Sequence, residues 1–214
     1  MIKIYILDTE SLCKEEFSGL VDSLPFGEAE KTRLLAISNS KHKWESLGGL
    51  VALSRLLGKM PSDAVLSTEI RRATSGKPYF NSPASPFFSV SHSKGIAAAA
   101  IVDCKYGEIG FDIEAVDENY DFHRITSRCF SEAEKTQITE SKNPAEAFFS
   151  LWTAKEAMAK IDGGGLSALI SGSRTSLSAH VSKLNVDISG KRVVMSVCSY
   201  VADQPIQIFT DSEV

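Results

Sequence analysis

Three short apolar runs, separated by turns too brief to hold a helix, most constrain what this chain can fold into. They are "FFSVSH" from Phe87, "IAAAAIV" from Ile96 and "IGFDIE" from Ile109. In the first, Phe88 and Val90 alternate with Ser89 and Ser91, the pattern of a half-buried strand. Alanine prefers helix, but the second run is short and lies between Gly95 and Asp103, so it reads as a strand packed closely on both faces. With "DCKYGE" as the next turn, the three runs predict an antiparallel meander. In the third run, successive side chains point to opposite faces, so Asp112 and Glu114 share one face and Phe111 and Ile113 share the other, buried one. Two neighbouring anions repel, and one stays protonated unless something positive stands between them. The bland alternative is a pair of solvated charges on an exposed sheet face.

Helical signals flank these strands. The N-terminal "MIKIYILD" reads as a strand. It is followed by a helical region, "GEAEKTRLLAISNSKHKWESLGGLVALSRLLGKMPSD", in which Leu47, Leu50, Val51, Ser54 and Leu57 fall at helical spacing and Pro61 ends the segment. The Gly48-Gly49 pair lowers helix propensity, which implies close packing there rather than a phosphate loop. Gly76, Pro78, Pro83 and Pro86 mark an irregular connection. Further on, "FSEAEKTQI" is a short helix with Ser131 as N-cap and Glu134 three residues later. The clearest helix is "NPAEAFFSLWTAKEAMAKIDGGG": Asn143 caps it, Pro144 suits its first position, Glu146 completes the cap, and Gly163, Gly164 and Gly165 end it. The tail alternates again in "AHVSKLNVDISGKRVVMSVCSYV" and "PIQIF", read as antiparallel hairpins turning at Ser189-Gly190. Strand, helices and strands, then helix and strands once more, give an α+β class in which a duplicated unit is plausible.

Bulk properties narrow the function. A net charge of -4 over 214 residues argues against broad binding to a nucleic-acid backbone. Cys13, Cys104, Cys129 and Cys198 are scattered without a CxxC pair, which favours reduced thiols over a disulfide framework or a zinc site. The N-terminal apolar run is too short for a signal peptide or a membrane span, and no other run approaches spanning length, so a cytoplasmic protein is expected.

The chemistry-bearing residues form three groups. Asp112 and Glu114 are the first. Trp152, Glu156 and Lys160, spaced i, i+4, i+8, line one helix face, where Glu156 and Lys160 alone would make only a surface ion pair. A third acid near the first two would build a hard, oxygen-only site of the kind that suits magnesium and leaves room for substrate phosphates. Lys77 in "GKP" and Ser91, His92 and Ser93 at a strand end form the third group, with Lys31 and Arg33 as further cations. Cations that suit phosphate beside acids that suit magnesium point to phosphoryl-type chemistry.

The ordered set "GKP", "FSVSHS", "GFDIE", "FSEAE", "LWTAKEAMAK" and "GGGL", from Gly76 to Leu166, resembles the 4′-phosphopantetheinyl transferases of the surfactin-synthetase-activating (Sfp) type. The resemblance implies a pseudo-dimer of two similar α+β halves, each an antiparallel sheet packed with helices, here 1–103 and 104–214, with the active site between them. It implies transfer of the phosphopantetheine arm of coenzyme A to a serine of an apo acyl or peptidyl carrier protein, with magnesium as cofactor and adenosine 3′,5′-bisphosphate released. By motif, Asp112, Glu114 and Glu156 are the implied magnesium ligands. Lys160 is implied at the pyrophosphate with Lys155 assisting, and Lys77, Ser91 and His92 at the nucleotide's phosphates, His92 at the 3′-phosphate. Glu156 is the implied acceptor of the serine proton. Lys31 and Arg33 stand where the family carries basic residues, whereas "WESLGG" offers Ser46 without the arginine that usually precedes it. The segment from Val116 to Phe130, with Tyr120, Phe122, Ile125, Arg124 and Arg128, occupies the place where the family docks its carrier. An internal pseudo-dimer makes a monomer the default. Two other readings use the same residues: a magnesium-dependent phosphohydrolase acting on coenzyme A, and a non-catalytic module that binds coenzyme A or a carrier.

Overall fold

A computed structural model of the chain describes residues 1–60, 69–161, 163 and 179–211. Pro61, Gly164, Gly165 and Leu166, to which the sequence assigns helix ends and the close of the motif set, lie outside the described residues. Strand β1 (Ile2–Asp8) leads through a 3-10 turn into α1 (Phe17–Ser23), α2 (Glu28–Leu35) and α3 (Ser40–Leu57). The segment read as irregular contains a small ribbon, β2 (Ile70–Arg72) paired with β3 (Pro78–Phe80). Strands β4 (Phe87–Ser93), β5 (Ile96–Val102) and β6 (Ile109–Ala115) follow. Then come α4 (His123–Cys129), α5 (Glu132–Thr139) and α6 (Pro144–Ile161), and finally β7 (His180–Ile188), β8 (Lys191–Ser199) and β9 (Ile206–Thr210). The mixed α+β class is as expected. Among the described residues, no helix is long and apolar enough to cross a membrane.

The main elements stack as helix, sheet, sheet, helix. The first sheet has the order β4-β5-β1-β9 and the second β6-β8-β7. Helix α3 covers the outer face of the first sheet, where Leu50, Leu53 and Leu57 join Tyr5, Leu7, Ala97, Ala99 and Ile101. The inner face, with Ile4, Ile6, Ala98 and Ala100, packs against Ile109, Phe111, Ile113, Val193, Met195 and Val197 of the second sheet. Each such branched side chain removed from water stabilises the fold by about 1.5–3 kcal/mol. Helix α6 closes the stack: Ala157 and Ile161 pack with Cys198, and Phe148 and Phe149 with Val194. The alanine run is buried on both faces, because one face meets a helix and the other a sheet.

Local signals act as read at the caps. Ser131 and Glu134 form a reciprocal capping box, and Asn143 Oδ1 accepts the Glu146 N–H at 3.0 Å. Ser189 and Gly190 both take positive φ (50° and 74°), the two-residue turn whose twist matches an antiparallel hairpin between β7 and β8.

Two pairings differ from the sequence reading. The expected meander holds for β4 and β5 only, because β6 pairs with β8. The second edge of β5 is occupied by β1 from Ile2↔Val102 to Asp8↔Ile96, so the chain turns at Cys104–Tyr106 and lays β6 face-on against the first sheet. Likewise "PIQIF" forms no hairpin with the preceding strand. Both edges of β8 are taken by β6 and β7, and β9 instead joins the first sheet parallel to β1.

Candidate active site

The two sheets meet along a ladder of serines. Ser89, Ser91 and Ser93 alternate on the inner face of β4 and are buried, so this strand is covered on both faces rather than one. Their two-residue spacing matches that of the acids on β6. The Phe111 N–H donates to Ser89 Oγ at 3.2 Å, Ser91 Oγ donates to Asp112 Oδ1 at 2.6 Å, and Ser93 Oγ donates to Glu114 Oε2. Asp112 is only 5% exposed, which rules out a pair of solvated surface charges.

The positive charge that the paired acids demand is, in this structure, Lys160. Its Nζ reaches from the last turn of α6 to donate to Asp112 Oδ1 at 2.7 Å and to Ser91 Oγ at 3.0 Å. One ammonium does not neutralise three carboxylates. Burial, with the charge of Asp112 adding to it against the Ser93 hydrogen bond, raises the Glu114 carboxyl to about 7. Burial, and again the charge of Asp112, pushes Glu156 up as well. Asp112 Oδ2 is buried and has no hydrogen-bond partner among the described residues. An orphaned carboxylate oxygen, two acids driven toward their neutral forms and an all-oxygen donor set are what a hard divalent cation would relieve. The site residues therefore fit magnesium, although the ligating atoms of the three acids are not all within 4.8 Å of one another in this arrangement.

A cavity of about 180 Å³ opens beside the acids, lined in part by Lys77, Phe88, Ser89, Val90, Glu156 and Lys160. Lys77 Nζ is held by Glu108 and by the Ile161 carbonyl at 2.6 Å, which fixes its stem at the C-terminal end of α6. His92 lies on the opposite face of β4 from Ser91 and Ser93. Its Nδ1 is 3.4 Å from Glu45 Oε2 and its ring meets His42 edge-on with centroids 5.2 Å apart. Burial lowers its pKa against the opposing pull of Glu45, so the neutral imidazole is favoured.

The structure thus gathers Asp112, Glu114, Glu156, Lys160, Ser91 and Lys77 around one junction, and sets His92 across β4 from them with Glu45 and His42. The other expected cations have partners elsewhere. Lys31 donates to the Asp22 carbonyl at 2.9 Å, Arg33 pairs with Glu30 at 2.7 Å, and Lys155 pairs with Glu134 at 2.8 Å while lying over the Phe130 ring. Sequence reasoning grouped Ser93 with the phosphate-side residues, whereas the structure places it on Glu114; it passed over Ser89, which accepts the Phe111 N–H, and Glu45, which faces His92. The signal for the serines was present in the matching two-residue spacings. For Glu45 there was none.

A sequence profile of the 4′-phosphopantetheinyl transferase superfamily matches residues 108–193, which include all three acids and Lys160. Among curated proteins, the 4′-phosphopantetheinyl transferase AcpT of Salmonella typhimurium is 30% identical over 173 residues, 79% of this chain and 85% of the relative. AcpT of Escherichia coli is 29% identical over 133 residues, 61% of this chain and 63% of the relative.

Proposed function

The chain belongs to the 4′-phosphopantetheinyl transferase superfamily, and from that premise we propose that it transfers the 4′-phosphopantetheine group of coenzyme A to a serine of an apo carrier protein, as a holo-carrier synthase of the Sfp type. The observation that carries this reading is the convergence of Asp112, Glu114 and Glu156 with Lys160 beside an open cavity, where Asp112 and Glu114 are held by serines of the first sheet. Asp112, Glu114 and Glu156 are the residues that would hold magnesium, which when bound supplies positive charge for a pyrophosphate. Lys160 and Lys77, both lining the cavity, would bind phosphate oxygens, and Ser91 orients Asp112. His92 would serve the nucleotide's 3′-phosphate. Lys155, Lys31 and Arg33 would have to leave their present partners to assist.

In the transfer step, the carrier serine oxygen forms a bond to the β-phosphorus as the bond to adenosine 3′,5′-bisphosphate breaks. Glu156, whose pKa burial raises, accepts the serine proton. The cations stabilise charge on the attacked phosphate and the leaving group. For docking, α4 carries Arg124 and Arg128 exposed four residues apart, next to the half-exposed Tyr120, a surface suited to an acidic carrier. The two helix-backed sheets are read as two similar halves, 1–103 and 104–214, with β9 completing the first sheet from the second half. A cytoplasmic monomer is the working state.

Intact-mass spectrometry of an apo carrier protein incubated with the chain, coenzyme A and magnesium tests this. The expected result is a mass gain of one phosphopantetheine, absent with Asp112→Ala and Glu156→Ala. Coenzyme A consumed without any gain, across fatty-acid, polyketide and peptide carriers, would instead establish a phosphohydrolase. Neither gain nor consumption would leave only a binding module.

A further inference from the structure

We propose that His42, Glu45 and His92 form a second metal site, separate from the three acids and suited to a zinc-type cation. His42 and Glu45 lie three residues apart at the start of α3 and so share a face, while His92 projects toward them from β4. Glu45 Oε2 is the vertex, 3.4 Å from His92 Nδ1 and 3.9 Å from His42 Nδ1. The ligating atoms of all three lie within 4.8 Å of one another, a condition no other trio of His, Cys, Asp or Glu meets among the described residues. Around zinc, with bonds of about 2.0–2.2 Å at tetrahedral angles, neighbouring ligand atoms sit roughly 3.3–3.5 Å apart. Both distances from Glu45 are within about half an ångström of that spacing, and the exposed His42 side chain can move to close its own.

The surroundings of Glu45 point the same way. It is 6% exposed, and among the described residues no Lys or Arg nitrogen lies within 4.0 Å of it. A carboxylate so deeply placed is costly without a cation beside it. Its other oxygen accepts the Gly95 N–H at 3.2 Å, which fixes the carboxylate plane as outer-shell hydrogen bonds do for metal ligands. Two imidazoles and one carboxylate are borderline donors that select zinc over magnesium, the reverse of the all-oxygen group across β4. Three protein ligands leave a fourth position for water on the side where His42 meets solvent. If the transferase reading holds, zinc bound here withdraws His92 from the nucleotide and inhibits; the site itself does not depend on that reading.

The test is direct titration of the metal-free full chain with Zn²⁺ against a chromophoric zinc indicator, and in parallel with Co²⁺ read by visible absorption. One equivalent should bind, with the band pattern of a tetrahedral nitrogen and oxygen set. His42→Ala, at an exposed position that leaves the fold intact, and Glu45→Gln should each weaken binding at least tenfold. Glu156→Gln should leave it within about twofold. The proposal is overturned by zinc bound at less than one equivalent, by binding unchanged in His42→Ala, or by a near-ultraviolet thiolate band assigning the metal to one of the cysteines.

Discussion

The two long helices bring themselves close to a sheet in opposite ways. On the first sheet the glycine is on the helix: a Cβ on Gly48 of α3 would lie 2.7 Å from Ala97 Cβ and 2.8 Å from Thr9 Cγ2, both side-chain atoms. On the second sheet the glycine is on the strand: a Cβ on Gly110 of β6 would lie 1.9 Å from the Ala157 carbonyl oxygen and 2.7 Å from the Ile161 nitrogen, both backbone atoms of α6. The second arrangement brings the helix backbone itself onto the sheet. That is why Lys160, one residue before Ile161, reaches Asp112 at 2.7 Å, two positions along β6 from Gly110. Close backbone approach in one layer brings together the residues of the proposed site, whereas in the other it serves packing.

The largest expected effect follows from that assignment. Asp112→Asn should lower carrier modification by at least ~100-fold, because the amide removes charge from the one acid that Ser91 and Lys160 both hold. Retention within tenfold, measured as initial rates of holo-carrier formation, would move the chemistry away from the α6 layer. Next comes Gly110→Ala. No side chain can yield to the added methyl, so α6 must retreat, at a cost of about 3 kcal/mol or more in denaturant unfolding. A loss below ~1 kcal/mol would mean that α6 is not seated this deeply.

How far these layers could be read in advance depends on the range of the signal. Alternation in "GFDIE" and the i, i+4, i+8 face of α6 are local, so the shared face of Asp112 and Glu114 and the placement of Glu156 and Lys160 were legible. Strand partners were not, since they depend on which edges other strands leave free: β6 went to β8 and β9 to β1 for that reason. Burial of Asp112 depends on β4 crossing beside β6, again a long-range event. A cation's letter says nothing of which anion it serves, so Lys31, Arg33 and Lys155 looked available yet have nearer partners.

A third, smaller effect sharpens the contrast through pH. In metal-free protein, the Glu114 carboxyl is raised from 4.5 to about 7 by burial, so the folded chain keeps a proton that the unfolded chain has released. Stability therefore falls as pH rises from about 4.5 to about 7 and is level above, by up to about 3 kcal/mol. Glu156 is shifted the same way and adds to the slope, whereas His92, lowered from 6.5 by burial, contributes stability that rises with pH up to that value and offsets part of the drop. Glu30 and Glu134, which burial raises but Arg33, Arg72 and Lys155 hold down overall, lose their contribution only at lower pH, outside this window. Urea unfolding at pH 5 and pH 7.5 should show the drop in the parent and a markedly smaller one in Glu114→Gln. Equal drops would place the titrating group elsewhere.

The smallest effects lie in the first layer, where sign rather than size is informative. Replacing a helical glycine by alanine gains about 0.8–1 kcal/mol of propensity. At Gly49 the added Cβ would meet, among the described residues, only Val90, at an ordinary 3.5 Å, so Gly49→Ala should stabilise by up to about 1 kcal/mol. At Gly48 the same gain is opposed by contacts of 2.7 and 2.8 Å with the side chains of Ala97 and Thr9. Thr9 is tied to the Gly95 carbonyl through its Oγ1 at 2.9 Å and cannot rotate away freely, so Gly48→Ala should destabilise by about 1–2 kcal/mol net. Paired urea curves with equal slopes would give both values. Were Gly48→Ala as damaging as Gly110→Ala, side-chain contact would be as unyielding as backbone contact, and the distinction between the two layers would fail.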